Sequence, residues 1–288
     1  MKAPRFSYHD PASLDEALDL LADHGDAARV LAGGQSLMPV LNFRLARPAH
    51  LVDLNRVEDL AAIAESGGGL TLGAMVRQRA LERSEVVARR CPLICQALPL
   101  VGHPQIRNRG TLGGSLAHAD PAAELPAVLV AVDASFVLRS KTAQRRVAAD
   151  AFVTGQLSTV LQPDELLERV EVPVWPERTG SAIREVAMRT GDFALAGVAT
   201  TLSLDAHGRV AAARIVCFGV ADRPLRQPDA EASLMGGTPG EALLEEAGRI
   251  VSARLRSFDD IHASAGYRKR VSGVLTTRAL TECVMAAT

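Results

Sequence analysis

Two short segments carry the residues best suited to chemistry: Ala32-Gly33-Gly34-Gln35-Ser36 and Thr111-Leu112-Gly113-Gly114-Ser115. They lie about eighty positions apart, and each glycine pair is followed by a small amide or hydroxyl side chain. Glycine admits positive φ and has no Cβ to hold a bulky anion away, so successive N–H groups can converge on phosphate oxygens. Two such loops together could grip a pyrophosphate from both sides. Either pair alone reads as a plain turn. The G-x-G-x-x-G spacing of a Rossmann dinucleotide site is absent. No nucleophile or acid–base constellation appears: there is no G-x-S-x-G, no H-E-x-x-H and no Cys–His pairing. Any reaction therefore belongs to a bound cofactor, with the protein setting its orientation and solvent access.

The stretch Gln105-Ile106-Arg107-Asn108-Arg109-Gly110, running into the second loop and on to Ala117-His118-Ala119-Asp120-Pro121-Ala122-Ala123-Glu124-Leu125-Pro126, extends the pattern. Together with the first loop and Arg189-Thr190-Gly191-Asp192-Phe193-Ala194, it resembles the FAD-binding medium subunit of the molybdenum hydroxylases, the xanthine dehydrogenase flavin domain included. The resemblance covers essentially the whole chain. It implies a two-part N-terminal FAD-binding α/β domain of the vanillyl-alcohol oxidase type, followed by a smaller C-terminal α+β domain with an antiparallel sheet and helices. It also implies noncovalent FAD in this chain, with molybdenum–pterin on a large partner subunit and two [2Fe–2S] clusters on a small one. The assembly so implied is a dimer of heterotrimers.

Carried over by position, the resemblance gives backbone and side-chain contacts on the pyrophosphate to Ala32, Gly33, Gly34, Gln35 and Ser36 on one side. Thr111, Gly113, Gly114 and Ser115 take the other. Val30, Leu31 and Val101 would line the adenine or ribityl channel, although ordinary core packing explains them equally. Glu124 stands where related chains carry an aspartate on the cofactor; by residue type alone it is a helix N-terminal charge. Phe193 matches an aromatic that shields the isoalloxazine, and Arg184 falls near a cation at the flavin carbonyl edge, or is an exposed strand residue. His103 and His118 are the histidines nearest the site, His118 as a wall residue. His9, His24, His50, His207 and His262 read as structural. Two other readings stay open: a self-contained FAD oxidoreductase resembling the enolpyruvyl-glucosamine reductases, and a nucleotide-binding module without redox activity.

Composition sets the outer bounds. The 288 residues are 48% hydrophobic and 23% charged, which suits a soluble globular chain of two or three compact units. Thirty-two basic against thirty-three acidic residues leave a net charge of -1, which argues against a nucleic-acid surface. Arg107 with Arg109 and Arg268-Lys269-Arg270 read as solvated faces. No secretory leader and no membrane-spanning apolar run is evident, so the expectation is cytoplasmic. The four cysteines are too few and scattered for disulfides or an iron–sulfur cluster. Cys91 and Cys95 read as buried thiols, and the clusters must lie on another polypeptide. The cysteine-bearing insertion of hydroxybenzoyl-CoA reductase flavin subunits is also missing.

The elements that must position the loops follow from periodicity. Ser13-Leu14-Asp15-Glu16 is a capping box, with Leu14, Ala17, Leu18 and Leu21 on one helical face and Gly25 to close it. Arg29-Val30-Leu31 and Leu51-Val52-Asp53-Leu54 read as strands. Leu60 to Ala64 pairs with Leu70 to Gly73 through Glu65-Ser66-Gly67-Gly68-Gly69, a helical stretch covers Arg77 to Val101, and strands fall near Ser135 to Arg139 and Leu166 to Val172. Pro173 to Gly180 reads as a linker. The expected division is residues 1–177 for the FAD-binding domain, in subdomains of about 1–55 and 56–177, and 178–288 for the C-terminal domain. Beyond the linker, Ala182 to Met188, Ala196 to Leu204 and Val210 to Val220 alternate like antiparallel strands, and Gly240 to Leu255 and Ile261 to Val284 are helical.

Overall fold

The computed structural model describes residues 2–67 and 69–288. The chain opens with β1 (Ser7–His9), α1 (Leu14–His24), β2 (Ala28–Leu31), α2 (Leu37–Asn42) and β3 (His50–Asp53), whose strands form a parallel sheet in the order β1-β3-β2. Ser13 caps α1 by accepting from the Glu16 amide at 3.2 Å. Glu16 reaches back to the Ala12 amide at 2.8 Å, one residue earlier than a capping box requires. Gly25 ends the helix at φ +45. Ala17, Leu18 and Leu21 press onto Ala28, Val52 and Leu54 as the first core.

A second sheet then takes β4 (Ile63–Ser66), β5 (Gly69–Gly73), β6 (Ser135–Arg139), β7 (Gln144–Ala148) and β10 (Leu166–Val172), antiparallel throughout in the order β4-β5-β10-β6-β7. Gly68 of the β4–β5 turn lies outside the described residues, and Leu60 belongs to a 3₁₀ turn rather than to the strand. Inserted between β5 and β6 are α3 (Gln78–Arg83), α4 (Glu85–Arg90), α5 (Pro92–Ala97), α6 (Pro104–Arg109), α7 (Leu112–His118) and α8 (Glu124–Ala131). The helical stretch expected over Arg77 to Val101 is thus three short helices, because Ser84 caps a new start and Pro92 forces another. Cys91 precedes that proline, buried, and burial pushes its thiol up to about 12. Every residue of α8 is buried, as befits a helix apolar on all sides. The small elements α9 (Ala149–Phe152), β8 (Val153–Gly155) and β9 (Ser158–Thr159) lead into β10.

The C-terminal part places β11 (Thr179–Ala187), β12 (Ala194–Leu204), β13 (Val210–Phe218) and β14 (Leu225–Arg226) in one antiparallel sheet, followed by α10 (Pro228–Leu234), α11 (Glu241–Arg254) and α12 (Ala265–Ala287). Gly180 supplies close approach here rather than linker freedom. It sits in β11, where an added Cβ would lie 1.8 Å from the Cys283 carbonyl oxygen of α12. One face of this sheet carries α10, α11 and α12. The other packs on α8, with Ile183, Ala199, Val216 and Phe218 joining the core of the second sheet. Thr201 donates to the Ala131 carbonyl at 3.1 Å, and the Gly219 amide donates to the Pro121 carbonyl at 2.8 Å. The stretch Pro173–Pro176 carries no regular structure.

Candidate functional site

The parallel ladder of β2 against β3 ends at Leu31 opposite Asp53, and the chain turns at once through Ala32–Ser36 into α2. Gly34 holds φ +73, a region that L side chains rarely enter. Among the described residues, the amides of Gly33, Gly34, Gln35 and Ser36 donate to no protein acceptor; Gly34 and Ser36 use only their carbonyls, toward Met38 and Val40. Four consecutive free N–H groups beside a left-handed glycine make an anion-binding concavity. It opens on a cleft of about 390 Å³ lined by Leu31, Ala32, Gly33, Gly34, Gln35, Met38, Pro39 and Arg109.

The second loop lies against the first but uses its amides differently. Leu112 donates to the Val76 carbonyl at 2.9 Å, Gly113 to the Ala74 carbonyl at 2.8 Å, Gly114 to Thr111 Oγ1 at 3.1 Å and Ser115 to the Thr111 carbonyl at 3.2 Å. These N–H groups are engaged within the fold, three by backbone carbonyls and one by the capping threonine. What this loop can present is the half-buried Ser115 hydroxyl and a surface with no Cβ at Gly114. The two loops touch. A Cβ on Gly33 would lie 2.6 Å from the Arg109 carbonyl oxygen and 2.8 Å from Gly110 Cα, and one on Gly114 would lie 3.5 Å from Ala32 Cβ.

A polar clamp holds them together, built from residues that sequence reasoning missed. Asn55 Nδ2 donates to the Ala32 carbonyl at 3.1 Å, Arg77 bonds both Asn55 Oδ1 and the Arg109 carbonyl, and Asp53 Oδ1 accepts the Asn55 amide at 2.9 Å. Tyr8 donates to the other oxygen of Asp53 at 2.7 Å. Burial, then the charge of Arg109, lowers the Arg77 guanidinium from its ordinary value, so two cations crowd the place where the loops meet. Arg107, read from sequence as a solvated charge, is buried instead. It pairs with Glu82 at 3.0 Å and donates to the Val101 and Gly102 carbonyls, fixing the segment before α6.

The remaining expected site residues divide. Val30 is half-buried on the first core and Val101 on the second, so both pack as much as they line anything. His118 ends α7, half-buried. Phe193 stands 61% exposed on the β11–β12 connection, and the same connection meets His103, since a Cβ on Gly191 would lie 2.9 Å from His103 Cε1. Arg184 is not brought to the loops. It pairs with Glu282 of α12 at 2.7 Å, on the far face of the C-terminal sheet. Strand alternation sends the next residue, Glu185, the other way. Glu124 is 4% exposed at the start of α8, and burial pushes its carboxyl up to about 7, with Asp120 adding to the rise. Burial, then the Glu124 charge, pushes Glu185 up to about 8, and among the described residues one of its oxygens is buried without a partner. Two protonatable carboxyls thus lie near where the C-terminal sheet meets α8. The signal for Glu185 lies in the period of the strand, one position from Arg184.

A diphosphate fits the first loop on three counts: amides without a protein partner among the described residues, Gly34 at positive φ beside the cleft-lining Met38 and Leu31, and two guanidinium groups alongside. Residues 4–175 match the FAD binding domain in molybdopterin dehydrogenase, and residues 181–283 match the CO dehydrogenase flavoprotein C-terminal domain. The chain is 39% identical over 287 residues to the 6-hydroxypseudooxynicotine dehydrogenase complex subunit alpha of Paenarthrobacter nicotinovorans, covering 100% of this chain and 97% of that protein. It superposes with TM-score 0.96 on a chain of carbon monoxide dehydrogenase from Hydrogenophaga pseudoflava, 38% identical with 100% of both chains covered. For quinoline 2-oxidoreductase from Pseudomonas putida 86 the TM-score is 0.94 at 39% identity, covering 100% of this chain and 99% of that one.

Proposed function

The chain belongs to the family of FAD-binding medium subunits of the molybdenum hydroxylases, and on that premise we propose that it is the electron-transfer subunit of a molybdenum-containing dehydrogenase complex. In this reading it takes electrons from the [2Fe–2S] clusters of a small partner subunit and passes them to an external acceptor. Substrate oxidation belongs to a large molybdenum–pterin subunit, and the working assembly is a dimer of heterotrimers in the cytoplasm. Bound FAD would supply the carrier that accepts and releases electrons.

The observation that carries this reading is the row of amides from Gly33 to Ser36, without protein partners among the described residues, beside Arg77 and Arg109. Those amides would hold the diphosphate, with Gly33 and Gly34 allowing its approach and the Gln35 and Ser36 side chains at the rim. The clamp of Asp53, Asn55 and Arg77 keeps both loops in register. Thr111 and the glycines after it supply a rigid wall, and the Ser115 hydroxyl is the donor that wall can offer. Leu31, Val30 and Val101 would line the adenine or ribityl channel. Glu124 and Glu185 hold protons near neutrality at the domain junction, and Phe193 provides an aromatic cover on the C-terminal side. The domain boundary belongs near residue 177, just after the stretch without regular structure that starts at Pro173.

Purification of the chain together with its genomic neighbours tests the assignment. A yellow complex that contains molybdenum and iron–sulfur subunits, and whose flavin is bleached by the complex's substrate only when the small subunit is present, is the expected result. A yellow protein active on its own contradicts it and favours a self-contained oxidoreductase.

A further inference from the structure

On the first sheet three histidines from three elements meet, His9 reaching back from the register of Val52 toward His50. His50 opens β3 opposite Ala28, the first residue of β2, whereas the glycine loop leaves the last residue, Leu31, about 10 Å along the strand. His9 pairs in register with Val52 on β1, and His24 is the last residue of α1, following Ala17 and Leu21 at helical spacing. Val52, Ala28, Ala17 and Leu21 are all members of the first core, so the three histidines extend the edge of that core. The rings of His24 and His50 stack with centroids 3.7 Å apart, and His9 lies 5.2 Å from His50 and 5.4 Å from His24. His9 Nε2 and His50 Nδ1 are 3.0 Å apart, and one ligating nitrogen from each ring lies within 4.8 Å of the others.

Hydrophobic packing alone does not call for three imidazoles gathered at one point. Neutral imidazole is the form that ligates metals. We propose that His9, His24 and His50 form a binding site for a divalent transition-metal ion, Zn²⁺ foremost, which ties α1 to β1 and β3. The donor set is three nitrogens with no carboxylate, which suits Zn²⁺ or Cu²⁺ and excludes Mg²⁺ and Ca²⁺ as ions of choice. Three imidazoles and one water complete a tetrahedron. The carbonyl end of α1 adds negative potential at the place a cation would sit. Because parallel rings cannot both aim a lone pair at one ion, binding turns His24 or His50 about its side-chain torsions, a soft coordinate for imidazole.

The experiment uses the full chain loaded with FAD and stripped of metals with dipicolinate. Calorimetric titration with ZnCl₂ should give one equivalent bound with Kd below about 10 µM, and MgCl₂ should give no heat of binding. His9→Gln, His24→Gln and His50→Gln should each weaken Zn²⁺ at least about tenfold while keeping flavin absorbance, and His207→Gln should leave it unchanged. Should any of these variants lose its flavin, Co²⁺ in the unsubstituted protein decides: an intense tetrahedral visible spectrum supports the site, a weak octahedral one overturns it. Zn²⁺ binding weaker than about 10 µM, or binding indifferent to the three histidines, also overturns it.

Discussion

Gly33-Gly34 follows a strand whose ladder has just ended, whereas Gly113-Gly114 opens a helix wedged beneath Ala74 and Val76. Among the described residues the first pair leaves four amides without protein partners; the second has every amide from Leu112 to Ser115 bonded inside the fold. A glycine pair thus has two distinct uses here, access for a ligand and access for the protein's own backbone. The Cβ contacts show that Gly33, too, lets protein backbone approach closely, so it is the amides that separate the two uses. At Gly113 the obstruction is Ala74, part of the second core, and at Gly33 it is the opposing loop itself.

Substitutions at the two pairs should therefore fail in different ways. Gly33→Ala would put a methyl 2.6 Å from the Arg109 carbonyl oxygen and spread the loops. FAD affinity, read by flavin fluorescence, should fall about 100-fold, with the apoprotein's melting temperature changed little. Gly113→Ala would overpack against Ala74 Cβ at 2.6 Å, so denaturant unfolding should show a loss of about 2 kcal/mol while the folded protein keeps FAD affinity within about threefold. Reversal of these two phenotypes would break the distinction. Asn55→Ala removes the bridge from Ala32 to Arg77 and should weaken FAD about tenfold by letting the first loop drift from the second. The smallest effect concerns the domain junction. Glu124 keeps its proton in the folded state to about pH 7, against an ordinary glutamate value of 4.5. Unfolded protein ionises it first, so stability falls as pH rises from about 4.5 to 7 and is flat above. Glu124→Gln should accordingly raise the apoprotein's melting temperature by about 2–4 °C at pH 8, and leave it unchanged near pH 4.5.

How far the sequence reveals this division depends on what each feature rests on. Both loops, the capped first helix and the three long strands after the linker are legible, because glycine pairs, caps and period-two alternation are local signals. The partnering of the second loop's amides is not local. It depends on Ala74 and Val76, brought over by the turn after β5. Arg184 and Glu185 show a related limit: adjacent positions on a strand face opposite layers, and only the packing of α12 and α8 on the two faces settles which residue approaches the N-terminal domain. The burial of Arg107 is hidden for the same reason, its partner Glu82 being 25 residues away. Asn55 and Arg77 carry no motif at all, since each acts through a backbone carbonyl of a distant loop.

Residue-resolved amide hydrogen exchange, on apoprotein and on FAD-loaded protein, tests the central claim most directly. The account predicts rapid exchange at Gly33, Gly34, Gln35 and Ser36 that becomes strongly protected once FAD is bound, with Leu112 to Ser115 protected in both states. Exchange at the first loop that is indifferent to FAD, with new protection appearing at the second, would contradict it.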